Sequence, residues 1–314
     1  MRRVIVLAAA LVLLPASAVF AADLDELLDE SREASYTAEQ VITCATPDGA
    51  RNAVIELSQA SGELHIGAPV APDVEVASGF GGWTLVREGA VVSSANVQGA
   101  GEEPEPRYTV DEGSETEYLG RDATLYRMTG DGVVRAELVF DVEAGVLLRV
   151  VTFNADGSVF CERRFVTFDP GTAPATDAEA APSVESAKGG VESNLPETLG
   201  NFERLDVYQD EEGFIFAYYS DGFFSFAVFQ TPAIVAAGSG SLVTIGERAY
   251  IRSSGAGHVT YAWEASSGGM ALVGDLPPDM HQAVLSGLPA PEDPGLFRRL
   301  WRNLFGQIGS ARPL

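Results

Sequence analysis

The sequence predicts a mainly β protein with α+β character: a large N-terminal antiparallel β domain followed by a smaller C-terminal α+β domain. Three observations carry this. Turn-forming clusters such as Pro47-Asp-Gly49, Ser61-Gly62, Gly79-Phe-Gly-Gly82, Gly130-Asp-Gly132, Ala144-Gly145 and Ala155-Asp-Gly157 separate runs of strand formers, roughly one turn per ten residues, which is the punctuation of antiparallel sheet. The runs alternate: over 133–141, Val134, Ala136, Leu138 and Phe140 share a dry face, while Arg135 and Glu137 take the wet one. Finally, 170–192 loses nearly all large apolar side chains and gains Pro, Ala, Ser and Glu, a composition too poor in burial to offset the entropy of ordering, which reads as a linker.

The elements follow in order. Arg2-Arg3, an apolar run over 4–14 and small residues up to Ala22 form a secretory signal peptide over 1–21, cut near Ala21. No cysteine follows to accept lipid, and the apolar core is short for a membrane anchor. The first domain spans 23–169. It opens on an amphipathic helix over 23–35, with Leu24, Leu27 and Leu28 on one side and acids in the first turn, where the helix dipole favours them. Strands DATLYRMT, VVRAELVFD, VLLRVVTFN and SVFCERRFVTF then form a meander with one dry face. Val134, Leu138, Phe140, Leu148 and Val150 line either an apolar hollow or a filled core. Export places Cys44 and Cys161 in an oxidising compartment, where they form a bridge or remain two buried thiols.

The second domain, 193–290, contains YYSDGFFSFAVF, six aromatic rings in twelve residues. With Asp221-Gly222 as a two-residue turn, Tyr219 pairs with Phe224 and Tyr218 with Ser225. One face then carries Ile215, Ala217, Tyr219, Phe224, Phe226 and Val228. The other carries Phe214, Phe216, Tyr218, Phe223 and Phe229, hardly more polar, and is the candidate partner-binding surface unless an ordinary two-layer core covers it. Further strands lie around 242–245, 249–252, 258–265 and 270–273, and a helix over 276–287 is bracketed by Pro277-Pro278 and Gly287.

A basic amphipathic tail, 291–314, closes the chain. Leu296, Phe297, Leu300, Trp301, Leu304, Phe305 and Ile308 fill one half of a helix and Arg298, Arg299 and Arg302 the other, a pattern that suits an anionic membrane or docking onto the protein's own acidic body.

Composition excludes several functions. The formal charge of −25 over 314 residues disfavours nucleic acid, and it reflects either a saline habitat or an anionic binding face. His65, His258 and His281 are scattered without zinc spacing, and no nucleophile elbow, Walker or dinucleotide fingerprint occurs. The acid pairs Glu102-Glu103, Glu115/Glu117 and Glu211-Glu212 sit in polar, turn-like stretches where carboxylates stay solvated. The expectation is a binding protein, not an enzyme, with no cofactor and no metal.

Tyr219-Ser-Asp-Gly-Phe-Phe-Ser-Phe226, preceded by Leu195-Pro-Glu-Thr-Leu-Gly-Asn-Phe202, and Ala271-Leu-Val-Gly-Asp-Leu-Pro-Pro278 resemble the C-terminal domain of the MucB/RseB periplasmic regulators of extracytoplasmic sigma factors. Gly120-Arg121, Asp141-Val-Glu-Ala-Gly-Val-Leu-Leu-Arg-Val150 and Asp156-Gly157 look like that family's large domain, which is similar to the half-open β-barrel of the LolA/LolB lipoprotein carriers. The resemblance implies a periplasmic protein that binds the periplasmic segment of a single-span anti-sigma factor, shields it from proteolysis and so restrains envelope-stress signalling. A lipid-like signal in the barrel hollow is implied as the trigger for release, and a lipid or lipoprotein carrier is the alternative. The Gly-, Ala- and acid-rich stretch 67–106 departs from the family, and the arginine-bearing helix lies beyond its usual end.

Overall fold

A computed structural model describes residues 24–60, 63–66, 76–78, 82–87, 90–96, 107–171, 194–209, 215–231 and 240–292. The expected signal peptide, nearly all of the expected linker and the terminal helix, with Phe297, Arg298, Arg299, Trp301, Arg302 and Phe305, lie outside the described residues, as do Phe214 and the acid pairs at 102–103 and 211–212.

The described residues open with α1 (Leu24–Glu33) and continue through β1 (Tyr36–Thr46), β2 (Gly49–Ala60) and β3 (Glu63–Ile66). Next come β4 (Val76–Ser78), β5 (Gly82–Arg87), β6 (Ala90–Asn96), β7 (Thr109–Val110) and β8 (Ser114–Tyr118). The meander follows as β9 (Arg121–Gly130), β10 (Val133–Asp141), β11 (Leu147–Phe153) and β12 (Val159–Pro170). Its strands are set in the order β3-β2-β1-β12-β11-β10-β9-β7, with β8 also on β9, and every pairing is antiparallel. Strands β4, β5 and β6 form a small separate sheet.

After 193 the strands are β13 (Thr198–Leu199), β14 (Phe202–Gln209), β15 (Ile215–Ser220), β16 (Ser225–Thr231), β17 (Ser241–Ile245), β18 (Arg248–Gly255), β19 (His258–Ala265) and β20 (Gly268–Gly274), followed by α2 (Pro278–Gly287). They form a second antiparallel sheet, β13-β14-β15-β16-β20-β19-β18-β17. The protein is thus mainly β, with two large antiparallel sheets, few helices and no closed barrel among the described residues.

Two stretches depart from simple alternation. In β10 the register against β9 slips between Val134 and Ala136, so Arg135 is a bulged residue. Ala136, Leu138 and Phe140 point into the core as alternation requires, but Val134 is 37% exposed and the expected wet-face Arg135 is 4% exposed. The bulge re-aims Arg135 toward α2, where its Nη1 pairs with Asp279 at 3.0 Å.

The second departure concerns the aromatic ribbon. Ser220 pairs with Ser225 and Tyr219 with Phe226, so the loop is four residues long and not two. Asp221 is the cause: its Oδ1 accepts the N–H groups of Phe223 at 3.1 Å and Phe224 at 2.9 Å, and its own N–H donates to the Phe224 carbonyl. Gly222, at φ 96, supplies the left-handed step that this loop needs. A shift of two residues leaves strand faces unchanged but lifts Phe223 and Phe224 off the ladder.

Cys44 and Cys161 face each other across β1 and β12 and are joined by a disulfide that spans 117 residues of sequence. Both are buried, among Ile42, Ile55, Leu57 and Phe165.

Candidate functional site

The site is built on the β15–β16 ribbon. Alternate residues of a strand point to opposite sides, so Ala217, Tyr219, Phe226 and Val228 face one way and Phe216, Tyr218, Ala227 and Phe229 the other. On the first side Tyr219 stacks on Phe226 with ring centroids 5.0 Å apart, Phe202 meets Phe226 edge-on at 5.0 Å, and the Tyr219 hydroxyl donates to the Pro196 carbonyl at 2.7 Å. α2 covers this side with Val284 and Leu285, joined by Leu288 just past its end. Gly274, opposite Phe226, leaves room for that ring, because a Cβ there would collide with the Phe226 backbone and Cβ.

On the second side Phe216 and Phe229 lie directly across from each other, 5.1 Å between centroids, and form a separate apolar cluster with Tyr218, Ala227 and Leu205. Of the residues predicted for partner binding, the structure therefore brings Phe216, Tyr218 and Phe229 together. Phe223 sits elsewhere: in the 221–224 loop it packs edge-on against Phe224 at 4.9 Å and against Tyr108 at 6.0 Å, within the main core.

Hence the loop is the joint between the sheets, not part of the Phe216–Tyr218–Phe229 cluster. The Tyr108 hydroxyl donates to Asp221 Oδ2 at 2.5 Å, and the Arg135 guanidinium lies over the Phe224 ring at 5.7 Å. Burial pushes the Asp221 carboxyl up from its ordinary pKa, against the opposing effect of the hydrogen bonds from Tyr108 and the two loop amides. Tyr108 is pushed up too, by burial first and then by the Asp221 charge.

The same end of the second sheet holds further contacts with the first. Asp48 in the β1–β2 turn takes Arg252 in a two-pronged pair at 3.0 and 2.6 Å and accepts from Ser254 Oγ at 2.9 Å. Arg163 donates to the Gly257 carbonyl at 2.9 Å, and Ala256 at the β18–β19 tip is buried among the first sheet's apolar residues. Arg163 also faces Asp275 at 3.4 Å, whose carboxyl is raised by burial. Sequence patterning missed this joint because its members are scattered polar residues with no shared period.

The predicted hollow residues divide. Leu138, Phe140 and Val150 are buried in a cluster that includes Leu28 of α1, Leu148 is buried with Cys44 and Phe165, and Val134 is exposed. Of the histidines, His258 and His281 are buried. Among the described residues, no group of three or more His, Cys, Asp or Glu side chains is placed to hold a metal ion.

No protein-family model matches the chain, and no curated protein is significantly similar to it. Solved structures do match. A crystal structure of MucB superposes with a TM-score of 0.50 at 18% identity, covering 84% of this chain and 95% of that one. The chain shares the MucB fold. MucB in complex with MucA(peri) covers 86% of this chain and 98% of its own, with a TM-score of 0.47 at 19% identity. A LolA superfamily protein from Nitrosomonas europaea covers 48% of this chain and 94% of its own, at 9% identity and a TM-score of 0.23. The aromatic ribbon belongs to the second of the two large sheets, and the disulfide, in the first, fits an oxidising, extracytoplasmic compartment.

Proposed function

We propose that this protein is a periplasmic negative regulator of an extracytoplasmic sigma factor, which holds the periplasmic segment of a single-span anti-sigma factor and shields it from proteolysis. The observation that carries the reading is the second face of the ribbon. Phe216, Tyr218 and Phe229 form an apolar cluster apart from the main core, on a chain with the MucB fold, and MucB is a protein crystallised with periplasmic MucA. Aromatic clusters of this kind anchor interfaces, because a few large rings supply most of the desolvated contact.

In this reading the chain divides as the sequence suggested: signal peptide 1–21, a half-open barrel domain of LolA/LolB type over 23–169, a linker over 170–192, the partner domain over 193–290 and the tail over 291–314. Catalysis has no part in it, and neither has a cofactor. A lipid-like signal would act through the first sheet. Because Leu138, Phe140, Leu148 and Val150 are packed against protein side chains, partner binding ranks ahead of lipid or lipoprotein carriage.

The test is calorimetry of the purified mature protein with the periplasmic segment of the anti-sigma factor from the same genome. A micromolar or tighter complex that Phe229→Asp weakens at least tenfold is expected. Absence of any complex, with the protein folded, overturns the reading.

A further inference from the structure

A sheet has two edges, and each presents backbone N–H and C=O groups on which a further strand can form. The second sheet treats its edges unequally. At one end β13 is two residues long and lies against α2, where a Cβ on Gly287 would meet Leu199 Cδ2 at 2.7 Å. At the other end β17 is five residues long and pairs with β18 without a bulge, from Ser241 with Arg252 to Ile245 with Arg248. The first sheet protects its β8 side with Glu115 and Glu117, both exposed. β17, Ser-Leu-Val-Thr-Ile, has no charge and no proline, and Ser241, Leu242 and Thr244 are exposed, Leu242 to 51%.

The charge, proline and bulge that usually blunt an edge are absent from β17, and the strand is held firmly from behind. Val243 and Ile245 pack against the main core on the α2 side. Arg248, where β18 begins, donates from Nη1 to the Leu285 and Ser286 carbonyls near the end of α2, at 3.5 and 3.4 Å. A strand fixed in this way is a preformed template, so a segment that joins it has only itself to order. On the side away from α2, Leu242 stands directly across from the buried Ile251 and offers a further strand an apolar cross-strand neighbour. Among the described residues, β18 is the only strand paired with β17.

We infer that an extended segment of the anti-sigma partner joins the second sheet along β17, as a ninth strand beside the eight. The identity of the partner rests on the proposed function; the chemistry of the edge does not. The ladder spans about 16 Å, five residues at about 3.3 Å each. The segment is neutral or basic, because a formal charge of −25 repels an acidic one, and it sets an apolar or β-branched residue beside Leu242. A second copy of this chain fits less well: two bodies of formal charge −25 repel, and a five-residue ladder falls well short of the roughly 1,200 Å² that a standard interface buries. A partner already held elsewhere on the protein needs less from the edge, since its second contact then forms at an effective concentration of about millimolar.

Amide hydrogen exchange read by NMR, together with calorimetry, tests this on the mature protein and the periplasmic segment of the anti-sigma factor from the same genome. In the free protein the alternate amides of β17 that point away from β18 are expected to exchange fast. In the complex they slow by about tenfold or more, while the amides bonded to β18 change little. A chain with Leu242→Lys and Thr244→Lys, both at exposed positions, keeps its protection in β18 and β19 and binds the segment about tenfold more weakly. A complex that leaves β17 exchange unchanged, or that the double variant forms as tightly as the parent, overturns the edge and leaves the proposed function standing. Protection of the outward amides already in the free protein overturns it too, because the chain then occupies its own edge. If the folded parent forms no complex, the proposed function and this inference fall together.

Discussion

The two large sheets reach stability by different means. The first is tied covalently: Cys44 and Cys161 lock β1 to β12 at the centre of its strand order, and the buried part of its apolar cluster there is largely Ile, Leu, Val and Ala, with Tyr36, Phe160 and Phe165 as its buried rings. The second has no such tie among the described residues and relies on rings packed on rings: Tyr219, Phe226 and Phe202 under α2, and Tyr250, Tyr261 and Trp263 beside them. Aromatic burial contributes both area and ring-on-ring geometry. What the difference teaches is that the two sides of the ribbon are not equivalent: the inner rings hold the second sheet together under α2, while Phe216, Tyr218 and Phe229 form a cluster of their own on the other side.

Breaking the tie should produce the largest effect. The Cys44–Cys161 link closes a loop of 117 residues, which in the chain-entropy model stabilises the fold by about 5 kcal/mol. Replacing both cysteines with alanine should lower the urea midpoint strongly and should act on the first sheet before the second. Hydrogen exchange resolved by segment measures this. Faster exchange in β15 and β16 than in β1 and β12 would show that the two sheets do not differ as described.

Within the second sheet, Phe226→Ala should cost about 4 kcal/mol, the cavity left by a buried ring. Phe229→Ala removes the same ring from the other side and should cost far less, because Phe229 is only half-buried and leaves the α2-side packing intact. Equal losses in chemical denaturation would erase the distinction between an inner face that holds the second sheet together and an outer face that contributes less to folding.

Acid provides a third probe, aimed at the second sheet. His281 is buried; its Nε2–H donates to the Leu276 carbonyl, and Nδ1 accepts from the Tyr261 hydroxyl, which fixes the neutral tautomer. Burial holds its pKa down at about 4, against 6.5 for a free histidine. As pH falls through 6.5 the unfolded chain takes the proton and the folded chain does not, so stability drops between about pH 6.5 and 4, by roughly 3 kcal/mol in all. Asp221 and Asp275 act in the opposite direction, since a raised folded pKa means that stability grows as pH falls through it. The slope belonging to His281 is therefore the difference between the parent and His281→Gln, read from urea midpoints across that range, and parallel curves would refute it.

Much of this architecture was legible in the sequence, for identifiable reasons. The strands at 121–170 follow from turn glycines and alternation, α2 from its proline start and glycine end, and the two faces of the ribbon from a period of two that survives a register error of two. The loop length was not legible, because Asp-Gly is equally the signature of a two-residue turn and of an aspartate that caps two amides of a longer one. Arg135 was misplaced because a bulge is a one-residue event with no composition signal. The polar joint was hidden because Asp48 and Arg252, 204 residues apart, meet only once both sheets have formed.

That joint yields the smallest expected effect and the one most specific to how the sheets are held together. The Arg252 guanidinium holds the Asp48 carboxyl below its usual pKa, first by hydrogen bonding and then by charge. Asp48→Ala leaves Arg252 and Ser254 without that acceptor and should cost about 1 to 2 kcal/mol, the range of a charged hydrogen bond in a partly screened place. A depressed carboxylate contributes its stability above its unfolded pKa and loses it as pH falls through the folded one, so the penalty of Asp48→Ala should be full at neutral pH and fade below about pH 4. Since the pair ties the two sheets together in addition to the apolar cluster that both contribute to, the variant should also loosen the coupling of their unfolding transitions when β1–β12 and β14–β20 are followed independently. A single transition shifted as a whole would mean that the aromatic contacts of Tyr108 with Phe223 and Phe224, and not the Asp48–Arg252 pair, make the sheets unfold together.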